Sequence, residues 1–269
     1  MTAFENTSDY SPVAPYYDRT RDMPAALLEE CFRRIVDTAG LHPSAEILDA
    51  GCGTGQLSLP LTRAGFSITG IDVSQAMIDI ARSKTKPGDR AIFIVADVRS
   101  MDFPAGKFDA VVVSKLFQHV GNWESAADEI IRVTADRGLF IHISDKGAFG
   151  NAVRLRFGER AKARGYSNLY PGIRDRSLLA VHLRGRGAEM IPIDTDDLVW
   201  TKQVRYADAL EHLTLRLHSE FWGIPDPDYL QILDEVREWI DAQPSGGGTT
   251  EVLSPHLALE LFRIHKKAS

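Results

Sequence analysis

An apolar stretch that runs into three glycines at alternate positions, Ile47-Leu48-Asp49-Ala50-Gly51-Cys52-Gly53-Thr54-Gly55-Gln56, limits what this chain can become more than any other segment. Glycine lets a backbone turn tightly and approach a ligand where side chains would intervene. The run therefore reads as a strand, a tight turn and a helix start, with a ligand against the turn. The dinucleotide fingerprint G-x-G-x-x-G would need glycine where Gln56 stands. That departure points away from NAD and towards another adenosine ligand.

The same layout recurs along the chain. Phe66 to Asp72 reads as a second strand closed by an acid, and Ser74 is placed to cap a helix whose Met77, Ile78 and Ala81 share a face. Ala91 to Ala96 reads as a third strand ending on Asp97, Phe108 to Val113 as a fourth reaching Ser114, and Gly138 to Ile143 as a fifth. Continuous apolar runs of this kind mark parallel strands buried on both faces. Alternation with helical stretches predicts a doubly wound α/β sheet, which binds ligands at the carboxyl ends of its strands. Asp49, Asp72, Asp97 and Ser114 all fall at such ends, and carboxylates in successive units point to one polar ligand.

The length of 269 residues suits one large domain, or a domain with a sizeable insertion, and 44% hydrophobic residues supply a core. No apolar run approaches the roughly 18 residues of a membrane helix. The segment Met1 to Asp9 is polar and acidic, without a leader pattern. Cys31 and Cys52 are too few for a disulfide framework. A cytoplasmic protein with no membrane partner is expected. The net charge of −6 is uneven: residues 154–186 hold nine Arg and Lys against two acids, whereas the chain from Gly187 onward is acidic. Such a block is a solvated face or a site for an anionic partner.

Four segments are expected: an N-terminal cap and helix over 1–44, the ligand-binding core over 45–147, a basic helical lid over 148–196, and the last strands with inserted lid helices over 197–269. Pro24 opens the first helix and Gly40 ends it. Strands are expected near 198–205 and 257–264, with helices through Leu210, Leu213, Leu217 and Phe221 and through Tyr229, Ile232, Val236 and Trp239 between them.

The motifs at 47–56, 66–74 and 91–98 resemble those of the class I S-adenosylmethionine (SAM) methyltransferases, and the layout is closest to the group that includes ubiquinone-biosynthesis and trans-aconitate methyltransferases. The resemblance implies a Rossmann-like, seven-stranded, mostly parallel sheet with one antiparallel strand and a helical lid after strand five. It also implies SAM as cofactor, S-adenosylhomocysteine as product, and a small-molecule methyl acceptor. In that family the glycine loop, here Gly51, Cys52, Gly53, Gly55 and Gln56, faces the methionine end, and Asp49 braces the loop near the amine. Asp72 corresponds to the acid that takes the ribose hydroxyls. Val73 and Met77 flank the adenine, Asp97 and Val98 meet its edge, and Ser114 contacts the methionine end. Tyr16-Tyr17-Asp18-Arg19-Thr20-Arg21 resembles the segment that closes over SAM, with Tyr17 and Arg21 as the contacting residues and Tyr16 towards the acceptor.

His119, after strand four, is the candidate general base, since a histidine near neutrality can take a hydroxyl or amine proton. The other reading is packing around the cofactor. Lys115, His218 and Trp222 are the remaining candidate acceptor contacts, with His218 and Ser219 read as a polar pair on one lid helix. No histidine has metal-ligand spacing, so no metal is expected. The segment Ser114-Lys115-Leu116-Phe117 lacks the Asn/Asp-Pro-Pro-aromatic motif of base-amino methylation in DNA, and the acidic balance outside the basic block disfavours nucleic acid. The rivals are an RNA methyltransferase, or a SAM-binding protein or cyclase that transfers no methyl. The methylated atom is expected to be oxygen in preference to nitrogen or carbon, and the oligomeric state is open.

Overall fold

The five apolar runs become neighbouring parallel strands in the computed structural model, which describes residues 7–20, 23–147, 150–167, 169–175 and 177–266. In chain order the regular elements are α1 (Ala25–Ala39), β1 (Glu46–Ala50), α2 (Ser58–Arg63), β2 (Ser67–Asp72), α3 (Gln75–Ser83), β3 (Ala91–Val95), β4 (Phe108–Ser114), α4 (Trp123–Val133) and β5 (Thr134–Lys146). Then follow α5 (Ala152–Ala163), α6 (Ser177–Gly185), β6 (Glu189–Ile191), β7 (Lys202–Arg205), α7 (Tyr206–Thr214), α8 (Asp226–Asp241), β8 (Thr250–Leu253) and β9 (His256–Arg263). A 3-10 helix, Ser11–Thr20, precedes α1.

The main sheet has seven strands in the order β3-β2-β1-β4-β5-β9-β6. β1 to β5 are parallel in register, and β6 is antiparallel to β9. One face is sealed by Leu48, Val111, Val113 and Phe140 of the strands against Ile130 and Val133 of α4 and Leu179 and Leu183 of α6. Ser74 caps α3 through the Met77 N–H, as its position predicts. Gly40 takes the left-handed conformation (φ 68°) that ends α1.

The chain divides into two compact units. Within the described residues, unit 1 takes Met1–Ser144, Pro171–Leu198 and Ala258–Ser269, and unit 2 takes Asp145–Tyr170 and Val199–Leu257. The segment 148–196, expected as one lid, is thus shared between the units. Packing explains the split. Val153, Phe157 and Ala161 of α5 bury against Tyr229, Ile232 and Leu233 of α8. In unit 1, α6 is held to α4, where His182 Nε2 lies 2.8 Å from Asp128 and Arg186 pairs with the same carboxylate.

Two further expectations change. The segment 198–205 does not enter the main sheet; β7 pairs with β8 in a two-stranded sheet of its own. The seventh strand is β6, whose three residues pair with Leu261, Phe262 and Arg263 and are too few to show a period. The segment 213–222 is not one helix either. α7 ends at Thr214, Arg216 takes φ 52°, and Ser219–Phe221 forms a short 3-10 turn. A residue with a side chain is strained in that region, and the reversal breaks the helical ladder.

Candidate active site

The turn after β1 is built as its glycines require. Gly51, Gly53 and Gly55 have φ of 77°, 52° and 79°. A Cβ on Gly51 would lie 2.8 Å from Leu116 Cδ1, so a side chain here would have to displace Leu116 and would be strained at φ 77°. The N–H groups of Gly51 and Cys52 both donate to the Ile71 carbonyl at 2.9 Å, and that of Gly55 donates to Cys52 O. These amides hold the loop itself.

Two carboxylates stand at the strand ends beside this loop. Asp72 accepts from Gly53 N–H at 3.0 Å through one oxygen and from Ser74 N–H at 2.9 Å through the other. Burial raises its pKa, against the pull of those N–H groups. Asp49 is 1% exposed. Burial pushes its carboxyl up to about 7, the Ser58 hydroxyl opposing and the Asp72 charge adding to the shift. Cys52 is a buried free thiol, and that burial raises its pKa.

A strap crosses the loop. Asp18, on the Ser11–Thr20 helix, accepts from Thr54 Oγ1 at 2.6 Å and Gln56 Nε2 at 3.2 Å and pairs with Lys84. Lys84 also donates to Thr54 O at 3.1 Å. Ser11 and Ser74 hydroxyls are 2.9 Å apart. Tyr17 approaches Gly53: a Cβ there would sit 3.7 Å from its ring. The strap begins at His119, whose Nε2 lies 3.0 Å from Tyr10 Oη and whose Nδ1 lies 3.3 Å from Ser8 Oγ. Tyr10 also meets Tyr17 edge to face at 5.8 Å. Tyr16 is partly exposed, with the Arg19 guanidinium 5.9 Å from its ring centroid. Arg21 lies outside the described residues.

The remaining expected residues scatter in environment. Met77 and Val98 are buried, and Val73 is half-buried. Asp97 is forked by Arg99, which donates through Nε and Nη2. Ser114 closes β4 opposite Ile143, and Lys115 after it takes φ 54°. In unit 2, His218 is buried, its ring 6.2 Å from that of His212, and Trp222 Nε1 donates to Arg216 O at 2.6 Å. Unit 2 also holds an open cavity of about 560 Å³, lined in part by Asp145, Arg154, Gly158, Lys162, Glu220 and Phe221. At its wall Arg154 pairs with Glu220, which also accepts from Tyr170 Oη at 3.3 Å.

Sequence reasoning missed Ser8, Tyr10, Asp18, Thr54, Ser58 and Lys84. Only Asp18 carried a signal, as an acid inside the tyrosine-and-arginine segment. Among the described residues no group of three or more His, Cys, Asp or Glu is placed to hold a metal ion. No helix among them is long and apolar enough to cross a membrane.

A parallel sheet in this strand order, with a glycine turn after β1 and an acid closing β2, defines a nucleotide-type ligand site. The family model for the methyltransferase domain matches residues 48–142. The demethylmenaquinone methyltransferase of Thermus thermophilus is 35% identical over 158 residues, covering 55% of this chain and 71% of that protein. This chain belongs to the class I SAM-dependent methyltransferases, and SAM is its cofactor. The malonyl-[acyl-carrier protein] O-methyltransferase of Serratia marcescens is 28% identical over 144 residues, and the chain spans 55% of its length. Among solved structures, the YcgJ protein from Bacillus subtilis has a TM-score of 0.58 at 16% identity, covering 89% of this chain and all of that one. The [4+2]-cyclase SpnF has a TM-score of 0.56 at 20% identity, covering 96% of this chain and 94% of that one. At these identities the structures show a shared fold.

Proposed function

We propose that this enzyme methylates a small organic acceptor, at oxygen in preference to nitrogen or carbon. SAM supplies a sulfonium methyl group whose leaving group is a neutral thioether. The protein's own work is then to hold the acceptor against the methyl and exclude water, and positioning of this kind is worth about 7–11 kcal/mol. Asp72 is the proposed acceptor for the ribose hydroxyls, since each carboxylate oxygen keeps a lone pair beyond the one its N–H partner uses. Asp49 is assigned to the ammonium side. Tyr17 and the strap are assigned to covering the ligand, and His119 to anchoring that strap through Tyr10 and Ser8. Lys115 and Tyr16 are kept as acceptor contacts. His218 and Trp222 are likewise kept as proposed acceptor contacts.

The observation that carries a small acceptor over RNA is the state of the basic block. Arg154 pairs with Glu220, Arg156 with Glu159, Arg164 with Glu235 and Arg186 with Asp128. Arginines engaged in this way are poor sources of the phosphate neutralisation that nucleic acid binding needs. The O-methyltransferase among the relatives supports oxygen as the methylated atom.

The test is incubation with trideuteromethyl-SAM and a metabolite extract, followed by mass spectrometry of small-molecule and macromolecular fractions. The expected result is a trideuteromethyl group on a small compound, at an oxygen. Label confined to RNA or protein would overturn the acceptor class. Turnover-free binding would leave a SAM-dependent protein that transfers no methyl.

A further inference from the structure

A second imidazole stands near the carboxyl ends of the central strands, and nothing above uses it. His142 lies on β5 opposite Val113 of β4, one residue before the Ser114–Ile143 pair. Its Nδ1 is 2.7 Å from a carboxylate oxygen of Glu260 on β9. An ionised carboxylate only accepts, so Nδ1 carries the hydrogen, and the tautomer this selects in a neutral ring has its lone pair at Nε2. That is the arrangement in which a carboxylate fixes the tautomer of a basic histidine.

The environment agrees. The His142 side chain is 8% exposed and that of Glu260 39%. Among the described residues no hydrogen bond to Nε2 is found. Phe117 meets the imidazole edge to face at 6.3 Å, which puts the dyad beside the turn that follows β4. His119, two residues further along that turn, has a hydroxyl within 3.3 Å of each ring nitrogen.

We infer that His142, held by Glu260, is the group that takes the proton from the methyl acceptor. The inference rests on the methyl-transfer reading. The acceptor gains the methyl group and gives its proton to Nε2, while the electron pair of the broken carbon–sulfur bond stays on sulfur. The products are a neutral methylated acceptor, a neutral thioether and one imidazolium, whose charge Glu260 stabilises. Glu260 is a positioning residue.

Diethyl pyrocarbonate acylates reachable neutral imidazole nitrogens, and peptide mapping reads each histidine separately. His142 is expected to be acylated in the native protein despite its burial, and more slowly in Glu260→Gln. An unmodified His142, under conditions that acylate the exposed His42, would overturn the proposal. His142→Asn keeps a donor for Glu260 and removes the base. With trideuteromethyl-SAM and the metabolite extract it should transfer label at least about 100-fold more slowly, with S-adenosylhomocysteine affinity unchanged. A label loss matched by a fall in melting temperature and product affinity would make the pair structural. Loss of transfer in His119→Asn but not in His142→Asn would move the base to His119. If the wild type transfers no label, the parent reading fails and the base role with it, whereas acylation alone failing leaves methyl transfer standing.

Discussion

Ser58 Oγ donates a 2.5 Å hydrogen bond to Asp49, a carboxylate otherwise sealed at the end of β1. The hydroxyl does not compensate for burial, which pushes the carboxyl up to about 7 from the 3.8 of an exposed aspartate in the unfolded chain. Between those values the unfolded state has released the proton and the folded state has kept it. Stability therefore falls as pH rises from about 4 to 7, by on the order of 4 kcal/mol from this group, and stays lower above it. Asp49→Asn keeps an acceptor for Ser58 and removes the titration. Thermal unfolding should show the variant gaining on the wild type between pH 5 and pH 8, with the wider gap at pH 8; parallel curves would mean Asp49 is ionised throughout.

Ligand binding should reverse that balance. An ammonium group placed beside Asp49 favours the charged carboxylate, so binding of S-adenosylhomocysteine is expected to expel the proton. Calorimetry near pH 6.5 in two buffers of different ionisation enthalpy should register a fraction of one proton released, and affinity should rise between pH 6 and 8. Asp49→Asn should abolish both effects. Equal heats in the two buffers with the wild-type protein would place the ammonium elsewhere.

Asp72 joins two jobs, because the oxygens proposed to take the ribose diol also hold Gly53 and Ser74. Asp72→Ala would free both amides and disturb the loop as well as the ligand. Asp72→Asn is the cleaner probe, since its single carbonyl still accepts one of them. Loss of a charged acceptor is worth about 1.5–3 kcal/mol, so S-adenosylhomocysteine should bind roughly 10- to 100-fold more weakly. Unchanged affinity would remove Asp72 from the ribose site.

The parallel sheet was legible because each strand is a continuous apolar run, and β1 to β5 lie where those runs do. The glycine turn was legible because three positive φ values, at Gly51, Gly53 and Gly55, favour the residue type seen. What stayed hidden depends on contacts distant in sequence. Nothing local marks Tyr10 as the partner of His119, 109 positions away, or Glu260 as that of His142. β6 was hidden by its length, and the split of 148–196 by tertiary choice: α5 and α6 both read as basic helices, but they bury their apolar sides against different partners.

Asp18 supplies the last prediction, because it fastens the strap at the end opposite His119. Partial burial would raise its pKa, but hydrogen bonds from Lys84 and Thr54 and the Lys84 charge hold it below 3.8. The clamp is thus fully formed above the usual carboxylate range and is lost as pH falls through that lowered value. Its side chain is 43% exposed, so the ion pair adds little to global stability. Asp18→Asn should then leave the melting temperature within about 2 °C of the wild type. Opening of the strap should change far more: tryptic cleavage after Arg19 should accelerate severalfold, and S-adenosylhomocysteine should protect the wild type better than the variant. Equal cleavage rates with and without the product would mean that the strap does not close over the ligand.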